Sequence, residues 1–351
     1  MPWRGFEALV PYFGGKRKLC PRVFREIARV HPRETWGSLR LVDPFLGGGS
    51  VSLYAKAQGF GVLCGDLAER SAIIGRALIE NDSVRLGSEH PAHEDDLLRL
   101  FVPAENNRHL IEERYVPDCF SQASARFLDN AFAATEQVGD ETKRSLLRLL
   151  LVKYIYWLRP HAKFSSPGAF NRPFAEERWD DIKPTYKHAI SANATHPLPA
   201  LRAMSKDINR AVAPGAQPCQ AMKGDALETI RAGEGAEVLY LDPPYGGTLS
   251  YEEEYRILDD ILGESHEPSA FSGRDGLGYF ASLLTECESY PLWAISYGNA
   301  VANLDQVRGM IERFRPARAV EVVYPHMVAV ATRAKREANR EFVILAGEML
   351  R

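Results

Sequence analysis

The sequence predicts an α/β chain: a mostly parallel, doubly wound sheet interrupted by a helical insertion. Three observations lead there. Short apolar runs alternate with helix-period segments at both ends of the chain, in the β-α-β order of a crossover sheet. The first two runs end in aspartates, Asp43 and Asp66, and the first leads into the glycine turn Gly47-Gly48-Gly49-Ser50. Residues 86–215 carry no convincing strand pattern, although helical stretches recur there.

Residues 17–29 read as a helix, with Leu19, Val23, Ile27 and Val30 along one face. Leu39 to Val42 is a short strand ending at Asp43. After the glycine turn, Val51, Leu53, Tyr54 and Ala57 fall in a helix. Gly61 to Gly65 is a second strand, ending at Asp66, and Ala68 to Ile79 is helical. Helical stretches follow at 106–114, 121–137 and 142–158, and then loops rich in Pro, Asn and aromatics. Lys153 interrupts the apolar run Leu146 to Leu158, which therefore reads as a buried helix. Alternation resumes near 219. Strands are expected at Val238–Leu241, Leu292–Ser296, Val320–Val323 and Phe342–Leu345, and helices at 276–287 and 303–314. The expected division is an α/β domain from 1–80 and 216–351 with a helical domain, 81–215, inserted into it.

Composition bounds the function. With 45% hydrophobic and 25% charged residues, the 351-residue chain is that of a soluble globular protein. No apolar run reaches bilayer-spanning length. The start, Met1-Pro2-Trp3-Arg4, lacks a signal-peptide apolar core, so a cytoplasmic location is expected. The five cysteines form no Cys-x-x-Cys pair, which argues against a disulfide framework and a zinc site. His90 and His93 lie in a Pro- and acid-rich stretch and read as a solvated loop. The net charge of −3 does not by itself suggest a polyanion partner, but its distribution is uneven. Residues 1–40 carry nine Lys/Arg against three Asp/Glu, and residues 140–190 ten against six. Residues 251–290 carry ten Asp/Glu against two Arg.

The most informative string is Asp242-Pro243-Pro244-Tyr245, directly after the apolar run Val238-Leu239-Tyr240-Leu241. It falls at the carboxyl edge of a strand, where open α/β sheets bind ligands. A carboxylate there can accept a hydrogen bond from an amine. The prolines have no amide proton and fix their own φ, so the Pro243 carbonyl is presented from a stiff backbone. Tyr245 adds a flat face for stacking. A planar exocyclic amine held between carboxylate and carbonyl would have its lone pair aimed at an electrophile.

Three further constellations support this one. In Asp43-Pro44-Phe45-Leu46-Gly47-Gly48-Gly49-Ser50 the glycines let backbone approach a ligand closely. Ser52 replaces the last glycine of a dinucleotide fingerprint, and no Gly-Lys-Ser/Thr follows. A small adenosine-bearing cofactor therefore fits better than a nicotinamide dinucleotide, and a plain strand-to-helix turn is the other reading. Asp66, 19 residues past Gly47, suits ribose hydroxyls. A helix cap is the alternative for it, and Glu69 is a second candidate for the same role. Tyr12-Phe13-Gly14-Gly15-Lys16 offers backbone amides and one ammonium to a carboxylate. Asp225, after Gly224, would either accept from an adenine amine or cap the helix beginning at Ala226. The basic and aromatic residues of 153–159 and 163–174 suit a nucleic-acid face. Those up to Trp157 read as core. Lys163 adds positive charge, and Asn171 and Arg172 are best equipped for bidentate base contacts.

Taken in this order, Tyr12 to Lys16, Asp43 to Ser50, Asp66, Asp225 and Asp242 to Tyr245, the chain resembles the Dam-like (alpha-group) DNA adenine N6-methyltransferases. The likeness covers about 8–80 and 219–345, including the tail Glu341-Phe342-Val343-Ile344-Leu345, which looks like that family's closing strand. Phe170-Asn171-Arg172-Pro173-Phe174 is similar to a DNA-contacting stretch. The resemblance implies a Rossmann-like class I methyltransferase sheet, a helical target-recognition domain and S-adenosyl-L-methionine as methyl donor. It places Tyr12, Gly14, Gly15, Lys16, Asp43, Phe45, Gly47, Gly49, Ser50, Asp66, Asp225 and Asp242 around the cofactor. It further implies double-stranded DNA as substrate, a flipped adenine held by Asp242, Pro243, Pro244 and Tyr245, no metal, and a cognate restriction or defence system as a possible partner. Two departures stand out: Tyr12 replaces the tryptophan of compact members, and the region 86–140 is longer and more acidic. The alternatives are transfer to another planar amine (adenine in RNA, cytosine, a protein amide) and a DNA-binding module without turnover.

Overall fold

The computed structural model describes residues 3–87, 101–102, 107–116, 118–158, 197–244, 251–264, 276–299, 302–324 and 339–350. The chain divides into two compact units. One comprises Tyr12–Gly75, Pro214–Tyr251 and His266–Arg351; the other comprises Met1–Pro11, Arg76–Ala213 and Glu252–Ser265.

The first unit is built on a seven-stranded sheet. Its strands are β1 (Arg40–Asp43), β2 (Gly61–Asp66), β3 (Gln220–Lys223), β4 (Val238–Leu241), β5 (Leu292–Gly298), β6 (Ala317–Val323) and β7 (Arg340–Ala346), in the spatial order β3-β2-β1-β4-β5-β7-β6. The five strands from β3 to β5 run parallel. β7 is antiparallel to both β5 and β6. β4 shows why the parallel strands read as unbroken apolar runs: all four of its residues are buried. Leu239 and Leu241 join a core with Val42, Leu63, Phe280, Leu284, Ile295, Val307 and Ile344 on one face. Val238 and Tyr240, alternating with them, point to the other. The helices Ala226–Ala232, Gly276–Thr285 and Leu304–Ile311 cover the first face through Ile230, Phe280, Leu283, Val307 and Ile311. Burying one such Leu, Ile or Phe side chain contributes about 1.5–3 kcal/mol.

The second unit is helical in its described parts. Gln122–Glu136 starts at Ser121, whose hydroxyl accepts from the Ser124 N–H, a typical N-cap. It packs on Leu110–Tyr115 and on Glu141–Leu158. Buried Asp129 accepts from the N–H groups of Ile111 and Glu112, each at 3.0 Å, and so caps the helix Leu110–Tyr115 across space. Lys153, the charge inside the apolar stretch, donates to the carbonyl of Glu7 at 2.7 Å. Arg114 and the Tyr115 hydroxyl both bind Asp260 in the helix Tyr251–Ile261.

The expected elements are present with shifted ends. The helix expected over 17–29 is Cys20–Ile27; that expected over 68–79 is α-helical at Glu69–Ile74 and widens into π-type turns at Gly75–Glu80. Besides short 3-10 turns, two described α-helices and one strand go beyond the sequence reading. Leu198–Ala211 is a helix where loops were expected, burying Leu201, Met204, Ser205 and Ile208 along one side. Tyr251–Ile261 is also helical, and Gln220–Lys223 pairs with β2 at the sheet edge. His90, His93, Lys163, Phe170, Asn171, Arg172, Pro173, Phe174 and Tyr245 lie outside the described residues. The five cysteines are buried free thiols. Among the described residues no helix is long and apolar enough to cross a membrane.

Candidate active site

The sheet order reverses between β1 and β4, whose neighbours Leu41 and Val238, and Val42 and Leu239, lie in register. Crevices outside the carboxyl ends of strands at such a switch point are the usual ligand sites of open α/β sheets. Asp43 ends β1, Asp66 ends β2 and Asp242 follows β4, so all three carboxylates stand at that edge.

The glycine turn links them. Gly47 and Gly49 have φ of +50° and +72°, values that side chains resist. Gly49 begins the helix Ser50–Ala57. The Gly47 N–H donates to Asp66 Oδ2 at 2.8 Å, and the Ala68 N–H donates to Asp66 Oδ1 at 2.9 Å. Asp66 is thus fixed by one bond to each oxygen. Burial raises its carboxyl pKa, opposed by the Ala68 amide, the Arg70 guanidinium and the Gly47 amide. Glu69, the second candidate, is buried and lies 3.5 Å from Lys223 Nζ.

Tyr12 lies against this turn. A Cβ at Gly48 would sit 2.5 Å from Tyr12 Cβ, and one at Gly47 would sit 3.1 Å from Tyr12 Cε1. Only backbone without side chains admits the ring here. Burial raises the Tyr12 phenol pKa, opposed by Arg70.

Asp43 is 1% exposed. Its Oδ2 accepts from the Ser52 hydroxyl at 2.7 Å and its Oδ1 from the Phe45 N–H at 3.3 Å. Burial pushes its carboxyl up to about 7; the Ser52 bond opposes this and the negative charge of Asp242 adds to it. Ser52, which spoiled the dinucleotide fingerprint, therefore has a defined task beneath the turn.

Lys16 is 3% exposed, and its ammonium goes to a carboxylate of the protein itself. Nζ lies 2.9 Å from Asp242 Oδ1, donates to the Gly14 carbonyl at 2.9 Å, and lies 3.6 Å from Glu341 Oε1 in β7. The Lys16 N–H donates to Ser50 Oγ at 3.2 Å, and the Gly15 carbonyl accepts from the Tyr324 hydroxyl at 2.8 Å. Gly14 takes φ of +75°. Three remote strings thus meet at one buried cation.

Asp225 is a helix cap. Its Oδ1 accepts from the Glu228 N–H at 2.9 Å while its own N–H donates to Glu228, a complete capping box. It still stands at the same sheet edge, since the adjacent Gly224 N–H donates to the Asp66 carbonyl. Pro243 is buried and Pro244 partly so. Tyr324 and the exposed Leu67, next to Asp66, were not singled out in the sequence, and Ser52 and Glu341 were noted there only as a break in the fingerprint and as part of the closing strand.

Residues 12–175 match the family model described as D12 class N6 adenine-specific DNA methyltransferase. The chain is also similar to the type II methyltransferase M2.HphI of Haemophilus parahaemolyticus, with 24% identity over 343 residues covering 96% of each chain.

Proposed function

We propose that this chain is a D12 class N6 adenine-specific DNA methyltransferase, with S-adenosyl-L-methionine as its donor and Asp242 as its amine acceptor; the family-model match over residues 12–175 and the similarity to a type II methyltransferase support this reading. The observation that carries the reading is the placement of Asp242 at the switch point, ion-paired to buried Lys16 and on the same strand edge as the glycine turn.

The residues present fit the donor. An ionised carboxylate has about four lone-pair sites. Two on Asp66 hold backbone N–H groups, which leaves acceptor capacity for a ribose diol. Leu67 offers an exposed apolar side chain beside it for an adenine face. Gly47, Gly48 and Gly49 form a floor without side chains, walled by Tyr12, for the methionine part. Gly14, Gly15, Phe45, Ser50 and Asp43 support that floor, and Asp225 stands at its adenine end. The bound donor supplies a methyl group on a sulfonium, already activated for transfer.

On the acceptor side, Asp242 and the Pro243 carbonyl accept the two amine protons of a flipped adenine, and Pro244 keeps the backbone stiff. Tyr245 is assigned the stacking face from its place in the motif. Flipping costs a few kcal/mol, offset by these contacts. The nitrogen lone pair forms the new N–C bond as the S–C bond breaks, and the amine then loses one proton to solvent. Orientation of this kind is worth up to about 7–11 kcal/mol in well-aligned intramolecular reactions.

We assign duplex DNA recognition to the helical domain, with Lys163, Asn171 and Arg172 as contact residues. The type II relative supports a cognate restriction enzyme as the functional partner. The test is incubation with labelled S-adenosyl-L-methionine and unmethylated duplex DNA, then nucleoside analysis of the product. Label in N6-methyladenosine is expected, and its loss in Asp242→Ala. Label in cytosine, or full transfer by Asp242→Ala, refutes the assignment.

A further inference from the structure

We propose that Glu341 is a positioning residue for methyl transfer: it shares the Lys16 ammonium with Asp242 and so keeps Asp242 a strong acceptor for the amine. The proposal rests on the reading of Asp242 given above.

Glu341 is 0% exposed, on a strand whose next five residues, Phe342 to Ala346, are all buried and apolar. A buried carboxylate costs stability unless it is paired, and an apolar residue of similar volume often does as well or better there. Packing therefore does not call for Glu at this position. Its partner does. Lys16 Nζ lies 3.6 Å from Glu341 and 2.9 Å from Asp242, so one cation faces two carboxylates. β7 pairs with β5, with Glu341 opposite Gly298, which brings the end of the chain to the β4–β5 side of the crevice.

The consequence is electrostatic. Paired with Lys16 alone, Asp242 would have its charge drawn wholly onto the ammonium and would be a weaker acceptor. A second anion on the same ammonium weakens that grip and leaves the cluster with surplus negative charge. Among the described residues, the other titratable groups facing it include Asp43 from β1, Tyr240 from β4, Tyr324 after β6 and Cys20. Burial holds the phenols and the thiol neutral, so among these described groups Glu341 and Asp43 are the ones that can modulate the Lys16–Asp242 pair.

The experiment compares wild type with Glu341→Gln and Glu341→Asp, measuring kcat against pH on a DNA substrate and S-adenosyl-L-methionine affinity by calorimetry. Gln keeps the shape and removes the charge. A kcat lower by about tenfold is expected, cofactor affinity within about twofold, and an acid limb moved down by about half a pH unit as a like charge is lost. Asp keeps the charge and should keep the wild-type limb and most of kcat. An unchanged kcat and limb in Glu341→Gln overturns the proposal. Equal losses in both variants assign Glu341 to packing and also overturn it. If wild type transfers no methyl group to adenine, the reading of the site itself fails, an outcome distinct from either of these.

Discussion

Replacing Lys16 by Met removes the cation from between two carboxylates and fills much the same volume. The structure sets the magnitude. Glu341 is 0% exposed, whereas Asp242 is 18% exposed. Removing one partner of a buried pair typically costs about 3–5 kcal/mol, because the remaining charge is uncompensated. For a domain of 150–250 residues, each kcal/mol lowers Tm by about 2–4 °C, so a drop of about 6–20 °C is expected. Adding Glu341→Gln to Lys16→Met removes the buried carboxylate that has lost its ammonium and should return about 1–3 kcal/mol as coupling energy. Activity should not return, since Asp242 would still lack its cation. Urea denaturation followed by circular dichroism measures the cycle. If the single variant loses under about 1 kcal/mol, or the double variant is no more stable than Lys16→Met, the ammonium is not what supports the buried carboxylate.

Asp43 yields a pH signature. Its folded carboxyl titrates near 7 against 3.8 when unexposed to burial, a difference of about 4 kcal/mol. The folded state holds a proton that the unfolded chain releases, so this contribution is present below about pH 4 and is lost as pH rises to about 7; Asp43→Asn should flatten that part of the stability–pH curve. Gly65→Ala should destabilise by about 1–3 kcal/mol or more, since the new Cβ would lie 1.9 Å from Thr229 Oγ1. Gly37→Ala, with open space around it, should stay within about 0.5 kcal/mol of wild type in the same melts. Asp225→Ala should cost about 1 kcal/mol as a lost cap. Calorimetry on that variant decides whether Asp225 also holds the donor: a fall in affinity beyond that accounted for by unfolding supports the contact, and wild-type affinity removes it from the site.

What was legible in the sequence follows from how local its cause is. β1, β2 and β4 are buried on both faces, so each reads as an apolar run, and the aspartates that end them mark the sheet edge. The glycine turn was legible because positive φ leaves few residue choices. β3 was not, because Gln220-Ala221-Met222-Lys223 is an edge strand held mainly by backbone pairing to β2, with no buried face to pattern it. The helix Leu198–Ala211 does carry its signal in Leu201, Met204, Ile208 and Ala211, but the Pro- and Asn-rich residues before it hid the period. Asp225 had two chemically sound readings, and only the position of Glu228 across the first turn shows the cap. The partner of Lys16 was beyond reach altogether. An ammonium and a carboxylate at opposite ends of a chain leave no periodic trace, and β7 brings them together only once its antiparallel register with β5 is set.

That convergence gives weak strings their joint meaning. Gly-Gly-Lys alone specifies nothing, and an aspartate before two prolines could end any strand. Lys16 makes them one device. Its backbone is tied to Ser50 at the start of the glycine-turn helix, its ammonium to Asp242, and its charge to Glu341. A change at any of the three sites alters the field at the other two, since the groups are buried and little screened. The glycine turn and Asp242, proposed as donor floor and amine acceptor, are therefore coupled mechanically and electrostatically through one residue, Lys16. A substitution of Lys16 should then change kcat and donor affinity together, whereas one at Glu341 should change kcat alone. That contrast separates a shared anchor from a residue that tunes the acceptor.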